Sequence, residues 1–456
     1  MKRRGDRPMS SSHLRVPDPG LDRIRELMRV NGVVRLLAKG LSPNDNSKNQ
    51  PYLAGSFEVT NILPIGEITV NRSPSGKDTM KAPIALSWLQ PDGRALPALH
   101  AKLILYPKYP EVRLSGFLRG CDGAPTELLN VRMEGRVLLL GVTADRRVIG
   151  WVAAPNTVVA RAVASMQSPE RVGVFTVVPL SADSGNSADS LLAALARIHG
   201  KGWIGSHALD GQGLVRPCKA TNCVGYTLEA ELGVRQNGIS APDFLGWEVK
   251  AAQTSNYLQP AAAKAMTLFT PEPTSGFYRT EGFEAFVRKF GYPDKKGRED
   301  RLNFGGVFQA DVRERNTKLV LRVEGFNAES GKITDAAGRL ALVSEDDILA
   351  AAWEFPALLN LWNRKHAQAV YVPAEKRTEP ELQYRYAPKV WLGRGTDFTR
   401  FLAAVAKGSV YLDPGMKLVG ASTDDPEIKR RSQFRVKYRD LGSLYAVFEQ
   451  RDVVGE

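Results

Sequence analysis

The sequence predicts a mixed α/β protein with a β-rich N-terminal region. Short extended runs separated by turn-forming residues repeat from Ser56 to Pro155, which is typical of a β barrel or sandwich. Beyond residue 187, strand-like and helix-like segments are mixed, which argues against an all-helical or coiled fold. The polar stretch SADSGNSADS at 181–190 reads as a linker between the two parts.

The length of 456 residues favours two domains. We predict a β-rich domain over residues 1–180 and a second domain over residues 187–450. Two roles fit the first domain equally well. It could be an accessory domain that positions or regulates the second domain, for example by recognising DNA, or it could be a plain packing domain. A content of 43% hydrophobic and 24% charged residues is that of an ordinary soluble globular protein.

The formal net charge of +13 suits a polyanionic partner, because each neutralised phosphate releases condensed counterions. No apolar run approaches ~20 residues, so we expect no membrane span, and the basic start MKRRGDR lacks the apolar core of a secretory signal. Three cysteines, at 121, 218 and 223, point to a reducing cytoplasm. No second ligand pair accompanies CKATNC, which disfavours zinc.

Periodicity and turn-forming residues predict the individual elements. A helix over residues 21–37 is expected to be interrupted near Asn31 and Gly32, and a hairpin is expected to turn at 144–146. Further helices are predicted at 191–199, 226–232, 282–290, 344–361 and 398–405, and strands at 317–325 and 366–377. The aromatic stripe of the helix at 282–290 is predicted to be core.

The candidate for chemistry is the segment from Asp243 to Lys250. In a strand Glu248 and Lys250 share one face, with Trp247 and Val249 on the other. Asp243 lies five residues before Glu248, across Gly246, a gap that a turn can close. Two carboxylates and an ammonium would then meet, a set that suits Mg²⁺ with water and phosphate oxygens as its remaining ligands.

Glu229 is a further candidate, on the helix predicted at 226–232. It falls off the buried stripe that Leu228 and Leu232 form. It would serve as an additional metal or water ligand, and a solvated helix glutamate is the alternative. The spacing Asp-x4-Glu-x-Lys arises by chance in about one chain of this length in ten, so the motif alone is weak.

The wider stretch is more specific. Residues 222–250, with GYTLEAELG at 225–233, NG at 237–238 and PDFLGWEVK at 242–250, resemble the active-site block of the MvaI/BcnI restriction endonucleases. These are similar to the mismatch-repair nickase MutH and belong to the PD-(D/E)XK superfamily. The resemblance continues in TLFTPEP at 267–273, KFGYPDKKGR at 289–298, RSQFRV at 431–436 and LGSLY at 441–445.

The resemblance implies a restriction-endonuclease-like core and a Mg²⁺-dependent, type II-like endonuclease acting on double-stranded DNA. It implies that Asp243 and Glu248 are metal ligands, Lys250 the catalytic lysine and Glu229 an accessory acid. It also implies a monomer, paired with a DNA methyltransferase acting on the same site. The alternatives are a nicking nuclease of repair or phage defence, and a DNA-binding protein on a nuclease fold that does not cut.

One departure concerns base recognition. The family is expected to carry a histidine-containing turn where this chain has Arg431, Ser432 and Gln433, and no histidine follows His366. If residues 431–439 are extended, Arg431, Gln433 and Arg435 line one face and suit the major groove; a charged edge strand is the alternative. Lys296 and Arg298 are candidate phosphate contacts, for which a solvated loop is the alternative.

Overall fold

The structure is a computed structural model that describes residues 18–43, 50–74, 78–109, 111–131, 133–181, 186–220, 222–235, 244–258, 265–363 and 368–455. The predicted metal ligand Asp243 lies outside these ranges. The chain forms two compact units: unit 1 is drawn from residues 1–51, 84–102 and 114–184, and unit 2 from residues 52–83, 103–113 and 185–456. No helix among the described residues is long and apolar enough to cross a membrane.

Unit 1 is built on a seven-stranded sheet. Its strands, in order across the sheet, are Arg171–Val172, Phe175–Val178, Val33–Leu41, Arg136–Thr143, Val148–Ala153, Leu86–Leu89 and Ala95–Pro97. The helices of this unit are Leu21–Val30, Thr126–Asn130 and Val158–Ala164. Ile24, Leu36 and Ile149 belong to one buried cluster between helix and sheet. The predicted hairpin at 144–146 is confirmed, because the strands on either side of it pair antiparallel.

The helix predicted over residues 21–37 is wrong in its second half. The helix ends at Val30, and Val33–Leu41 is a strand between two antiparallel neighbours. Gly32, with φ 79°, follows the helix cap Asn31 in the left-handed conformation that stops helices. The β-branched residues Val33 and Val34 then favour the strand.

Two segments of the N-terminal half lie in unit 2. They form most of a five-stranded sheet with the order Tyr52–Ala54, Glu111–Ser115, Lys102–Tyr106, Thr79–Pro83 and Thr69–Asn71. The short helix Val59–Ile62 lies in the first segment, where the Thr60 hydroxyl donates to Asn363 Oδ1 at 2.7 Å. The β-rich character predicted for the N-terminal region is therefore confirmed, but its strands are divided between the two units.

The sheet of unit 2 that matters for the site is centred on Gln368–Arg377, the central strand. Glu248–Gln253, the site strand, runs parallel to it, and Gln383–Tyr386 and Lys389–Arg394 run antiparallel. Tyr371 of the central strand pairs with Lys250 on one side and with Trp391 on the other. Within the described residues the site strand pairs only with the central strand, so it forms an edge. The outer strands Ile204–Gly205 and Val447–Asp452 complete the sheet.

Two helices cover one face of this sheet. They are Ser187–Gly200 and Cys223–Glu231, the second of which we call the site helix. Leu195 and Leu228 pack with Trp247, Val249 and the even-numbered residues of the central strand in one buried cluster. The site strand is thus fixed from one face, and its other face is left for Glu248 and Lys250.

The remainder of unit 2 contains smaller sheets. They comprise Met266–Phe269 with Phe434–Val436 and Val410–Leu412; Tyr292–Pro293 with Arg301–Gly305, Gly415–Val419 and Glu427–Lys429; Val320–Glu324 with Arg339–Val343 and Leu349–Glu354; His207–Leu209 with Val215–Pro217; and Phe326–Asn327 with Lys332–Ile333. The other helices are Phe277–Thr280, Gly282–Phe290, Phe355–Trp362, Phe398–Ala406 and the 3₁₀ helix Tyr438–Leu444. The core role predicted for the aromatic stripe of Gly282–Phe290 is confirmed, since its four large apolar side chains are buried.

The helix predicted over residues 344–361 is wrong at its start. Leu349–Glu354 is a strand paired with Arg339–Val343, and the helix spans only Phe355–Trp362. Ala350, Ala351 and Ala352 are all buried, so this run is a fully buried strand, which periodicity does not separate from a helix. Pro356 stands in the first turn of the observed helix, where its missing N–H costs nothing.

Candidate active site

Glu248 and Lys250 meet on the face of the site strand opposite to the two helices. Lys250 Nζ donates to Glu248 Oε1 at 2.9 Å, and the two side chains are 14% (Lys250) and 7% (Glu248) exposed. Trp247 and Val249 point into the core beneath the helices. The alternation predicted from the sequence therefore holds, and it places an acid and an ammonium in one shielded position at a sheet edge.

A tight turn precedes the site strand. Phe244 and Trp247 exchange both backbone hydrogen bonds, at 3.0 and 2.8 Å. The two residues between them, Leu245 and Gly246, have φ values of 49° and 87°, as hairpin turns with two left-handed central residues require. The turn expected at Gly246 is present, and it reverses the chain directly before Glu248.

Glu229 lies on the site helix, half-buried, with the neighbouring Leu228 fully buried. The helix packs on the face of the sheet opposite to Glu248 and Lys250, because Leu228 shares its cluster with Val249. Burial raises the pKa of the Tyr386 phenol, and the charges of Glu231 and Glu229 raise it further. The predicted accessory acid is thus placed on the helix side of the sheet, where its charge acts on Tyr386.

Two tyrosines that the sequence did not single out lie beside the acid and the lysine. Tyr371 is the register partner of Lys250 on the central strand, and its hydroxyl forms a 2.8 Å hydrogen bond with that of Tyr445. Burial raises the pKa of both phenols, so both hydroxyls stay protonated. The only signal in the sequence was the position of Tyr445 at the end of the LGSLY segment.

Cys218 and Cys223 form a disulfide, with Cα atoms 5.8 Å apart. This bond, which the sequence alone did not indicate, joins the residue after the strand Val215–Pro217 to the first residue of the site helix. The two cysteines are five positions apart in the sequence. Cys121 is a free, half-buried cysteine.

A basic face lies on the four-stranded sheet that includes Arg301–Gly305 and Gly415–Val419. Lys417 pairs directly with Lys429 of the neighbouring strand. The charge of Arg301 lowers the pKa of Lys417 most, and those of Lys429, Arg298 and Arg431 contribute further. We call these five residues the basic face. Arg298, a predicted phosphate contact, and Arg431, a predicted major-groove contact, both belong to this face.

The other predicted DNA contacts lie in different settings. Lys296 is exposed in the turn between the strands Tyr292–Pro293 and Arg301–Gly305 of this sheet, where its backbone N–H donates to Asp294 Oδ1. Arg435 pairs with Asp413 at 2.6 Å and also donates to the carbonyl of Ala265. Gln433 is half-buried. Side chains at residues 431–439 alternate in exposure as predicted, although only Phe434–Val436 is a strand.

The position of this site defines the class of protein. A mixed sheet flanked by helices, with an acid and a lysine on an edge strand, is the architecture of an α/β nuclease of the restriction-endonuclease type. The family model described as the MvaI/BcnI restriction endonuclease family matches residues 192–445, more than half of the chain. The chain belongs to this family and is accordingly a DNA endonuclease.

Two solved structures are similar to the chain. The first is described as "Restriction endonuclease MvaI-cognate DNA substrate complex", with 18% identity and a TM-score of 0.42, covering 59% of this chain and 100% of that one. The second, "Restriction endonuclease MvaI in the absence of DNA", has 18% identity and a TM-score of 0.34, covering 59% and 99%. No match was found among curated proteins.

Proposed function

We propose that the protein is a Mg²⁺-dependent endonuclease that hydrolyses phosphodiester bonds of double-stranded DNA and acts as a type II-like restriction enzyme. The observation that carries the proposal is the Lys250–Glu248 contact of 2.9 Å on the edge strand that follows the tight turn. At one shielded point, the ammonium can offset the negative charge that develops during phosphodiester hydrolysis, and the carboxylate can hold a hard cation.

The donor set suits Mg²⁺. Lys250 occupies one oxygen of Glu248, which leaves the other for a hard cation. Glu248 together with Asp243 would supply the one or two carboxylates that this ion takes alongside water and phosphate oxygens. When bound, the ion would lower the pKa of a coordinated water and polarise the phosphate. Among the residues the structure describes, no three acidic, histidine or cysteine side chains form a metal cluster, so the proposal depends on Asp243.

Lys250 would act on the reacting phosphate directly. Its ammonium, beside Glu248, would orient the attacking water and a phosphate oxygen, and would offset the negative charge that develops in the transition state. Because Lys250 is only 14% exposed, that charge acts through a medium less polarisable than water.

The basic face would receive the DNA backbone. Like charges directly opposite each other on adjacent strands destabilise a sheet, and Lys417 and Lys429 are such a pair. Phosphates would relieve this repulsion and release their counterions. Lys296, next to Arg298, would extend the contact, whereas Arg435 would reach DNA only by leaving Asp413. Gln433 remains the proposed base contact.

Plasmid cleavage tests the activity. We expect the purified protein with Mg²⁺ to convert supercoiled plasmid first to the nicked and then to the linear form, as a monomer with one site per chain would. Chelation should stop cleavage, and Lys250→Ala should abolish it while DNA binding persists. Lys407→Ala, which removes an exposed lysine at a helix end, is the matched control. If Lys250→Ala cuts as fast as wild type, the site assignment fails.

A separate experiment distinguishes a role in restriction from a role in repair or defence. A DNA methyltransferase that modifies the same sequence is the proposed partner. Sequencing the ends produced from several plasmids would define the recognition sequence. Cleavage at a unique sequence that methylation blocks supports restriction, whereas scattered nicks in only one strand would favour a nicking enzyme of repair or defence.

A further inference from the structure

We propose that Tyr371 and Tyr445 form a buried hydroxyl pair that positions the Glu248–Lys250 contact for phosphodiester cleavage. The inference rests on the proposed function, since it concerns the same site. It adds two positioning residues that need not touch the substrate.

Lys250 and Tyr371 lie side by side in the sheet. Lys250 and Tyr371 are register partners in a parallel pair, so their side chains leave the sheet on the same face, from strands about 4.8 Å apart. Glu248 lies on that face as well, two residues earlier in the strand. Tyr371 is fully buried and Tyr445 is 4% exposed. The hydroxyl pair therefore lies on the protein side of the acid and the lysine.

Aromatic packing restrains the rings of Tyr371 and Tyr445. The Tyr445 ring stacks on Phe448 with centroids 5.9 Å apart, and Phe448 stacks on Trp391 at 5.1 Å. The Tyr371 ring meets Tyr445 and Phe448 edge-on, at 6.1 and 6.0 Å. Such packing leaves the two rings little freedom, so the 2.8 Å contact between the hydroxyls is held in place.

The hydrogen bond between the two hydroxyls leaves one of their protons without an acceptor in the pair. Two phenols carry two protons, and their mutual bond uses one of them. The second proton is buried and needs an acceptor, because an unpaired buried donor is costly. The charged side chains that act on these phenols include Lys250 and Glu248 for Tyr371, and Glu248 for Tyr445. Glu248 and Lys250, on the same face of the sheet as Tyr371, are the charged groups to which the pair would offer its spare proton and its oxygen lone pairs.

This arrangement has a functional consequence. Neutral hydroxyl dipoles fixed in a shielded position hold an acid and a lysine in one geometry without adding charge. Groups that orient catalytic residues from behind typically contribute about 10- to 100-fold to activity. A packing role alone would require only the rings, and phenylalanine would serve equally well.

The test removes the hydroxyls and keeps the rings. For Tyr371→Phe and Tyr445→Phe we expect the single-turnover cleavage rate to fall by about 10- to 100-fold, with an unchanged Kd for DNA and a small change in Tm. The double variant should lose little more than either single one, because the two hydroxyls act as a unit. Tyr438→Phe is the matched control, since its buried hydroxyl has no partner within the described residues.

The outcomes separate the two proposals. If wild type cuts DNA and both variants cut as fast, the positioning role is wrong and the proposed function stands. The same holds if Tyr438→Phe slows cleavage equally, or if slower cleavage tracks a loss of binding or stability. If wild type does not cut, the proposed function fails and the positioning role fails with it.

Discussion

Lys250 donates a 2.9 Å hydrogen bond to Glu248, two residues earlier on the same strand, and neither side chain is more than 14% exposed. Residues two apart in a strand share a face, so the spacing alone brings them together. Although the strand lies at a sheet edge, both side chains are shielded from water, with the buried Tyr371 beside Lys250.

Removing one member of the Glu248–Lys250 pair should lower the free energy of unfolding more than removing both. In the absence of metal, Lys250→Met leaves the carboxylate buried and unpaired, and we expect a loss of about 3 kcal/mol in the free energy of unfolding. Adding Glu248→Gln should recover part of it. Urea unfolding measures both. The exposed pair of Arg288 and Glu284 is the control, since Arg288→Ala should cost less than about 1 kcal/mol; equal losses would mean that burial does not matter.

Substitutions at the two central positions of the turn before the site strand should have opposite effects on stability. Leu245 adopts φ 49° although it has a side chain, a conformation that is strained for residues other than glycine. Leu245→Gly should therefore leave stability unchanged or raise it. Gly246→Ala, at φ 87°, should lower the Tm and slow cleavage, because the strained turn shifts Glu248. Cleavage at the wild-type rate by Gly246→Ala would show that the turn does not set the site.

The basic face should carry part of the salt dependence of DNA binding. Lys417→Gln should reduce the slope of log K against log salt by about 1, and should slightly stabilise the free protein by relieving repulsion from Lys429 and Arg301. Titrations at several salt concentrations measure the slope. Lys332→Gln, an exposed lysine in the hairpin Phe326–Asn327/Lys332–Ile333, makes the same charge change elsewhere. An identical effect of both variants would exclude a localised contact.

The turn that carries Lys296 and Arg298 should weaken in acid. The side-chain hydrogen bond from Asn303, aided by backbone N–H groups and by Arg301, lowers the pKa of Asp294 to about 2. Because the folded pKa is below the unfolded value of about 3.9, the stability that this group contributes is present above pH 4 and is lost as the pH falls towards 2. Asp294→Asn should flatten the dependence of unfolding free energy on pH in that window. An unchanged slope would contradict the assignment.

The disulfide should anchor the start of the site helix. Without reductant, thiol titration of the unfolded protein should find one free cysteine, Cys121, and three after reduction. Closing a loop of this size contributes about 2 kcal/mol, so reduction or Cys218→Ser should lower the Tm. Cys121→Ser is the control and should leave the response to reductant intact. Three free thiols in the untreated protein would show that the bond does not form.

Local pattern predicted most of the helices that begin after clear boundaries, such as Gly282–Phe290 and Phe398–Ala406. It failed at Val33–Leu41 and Leu349–Glu354, where apolar residues fit a helix and a buried strand equally well. In both cases neighbouring strands distant in sequence decided the outcome. The same limit applies to the site: nothing near Tyr371 in the sequence indicates Tyr445, 74 positions away.

The sequence by itself determined the side-chain alternation that joins Glu248 to Lys250, the reversal at Gly246 and the family to which the chain belongs, because these depend on neighbours along the chain. Only the tertiary structure decided which strands lie beside the site, which aromatic side chains enclose it, and which cations cluster on the basic face. Those features depend on contacts between residues far apart in sequence, and burial, rather than local preference, selects among the possible pairings.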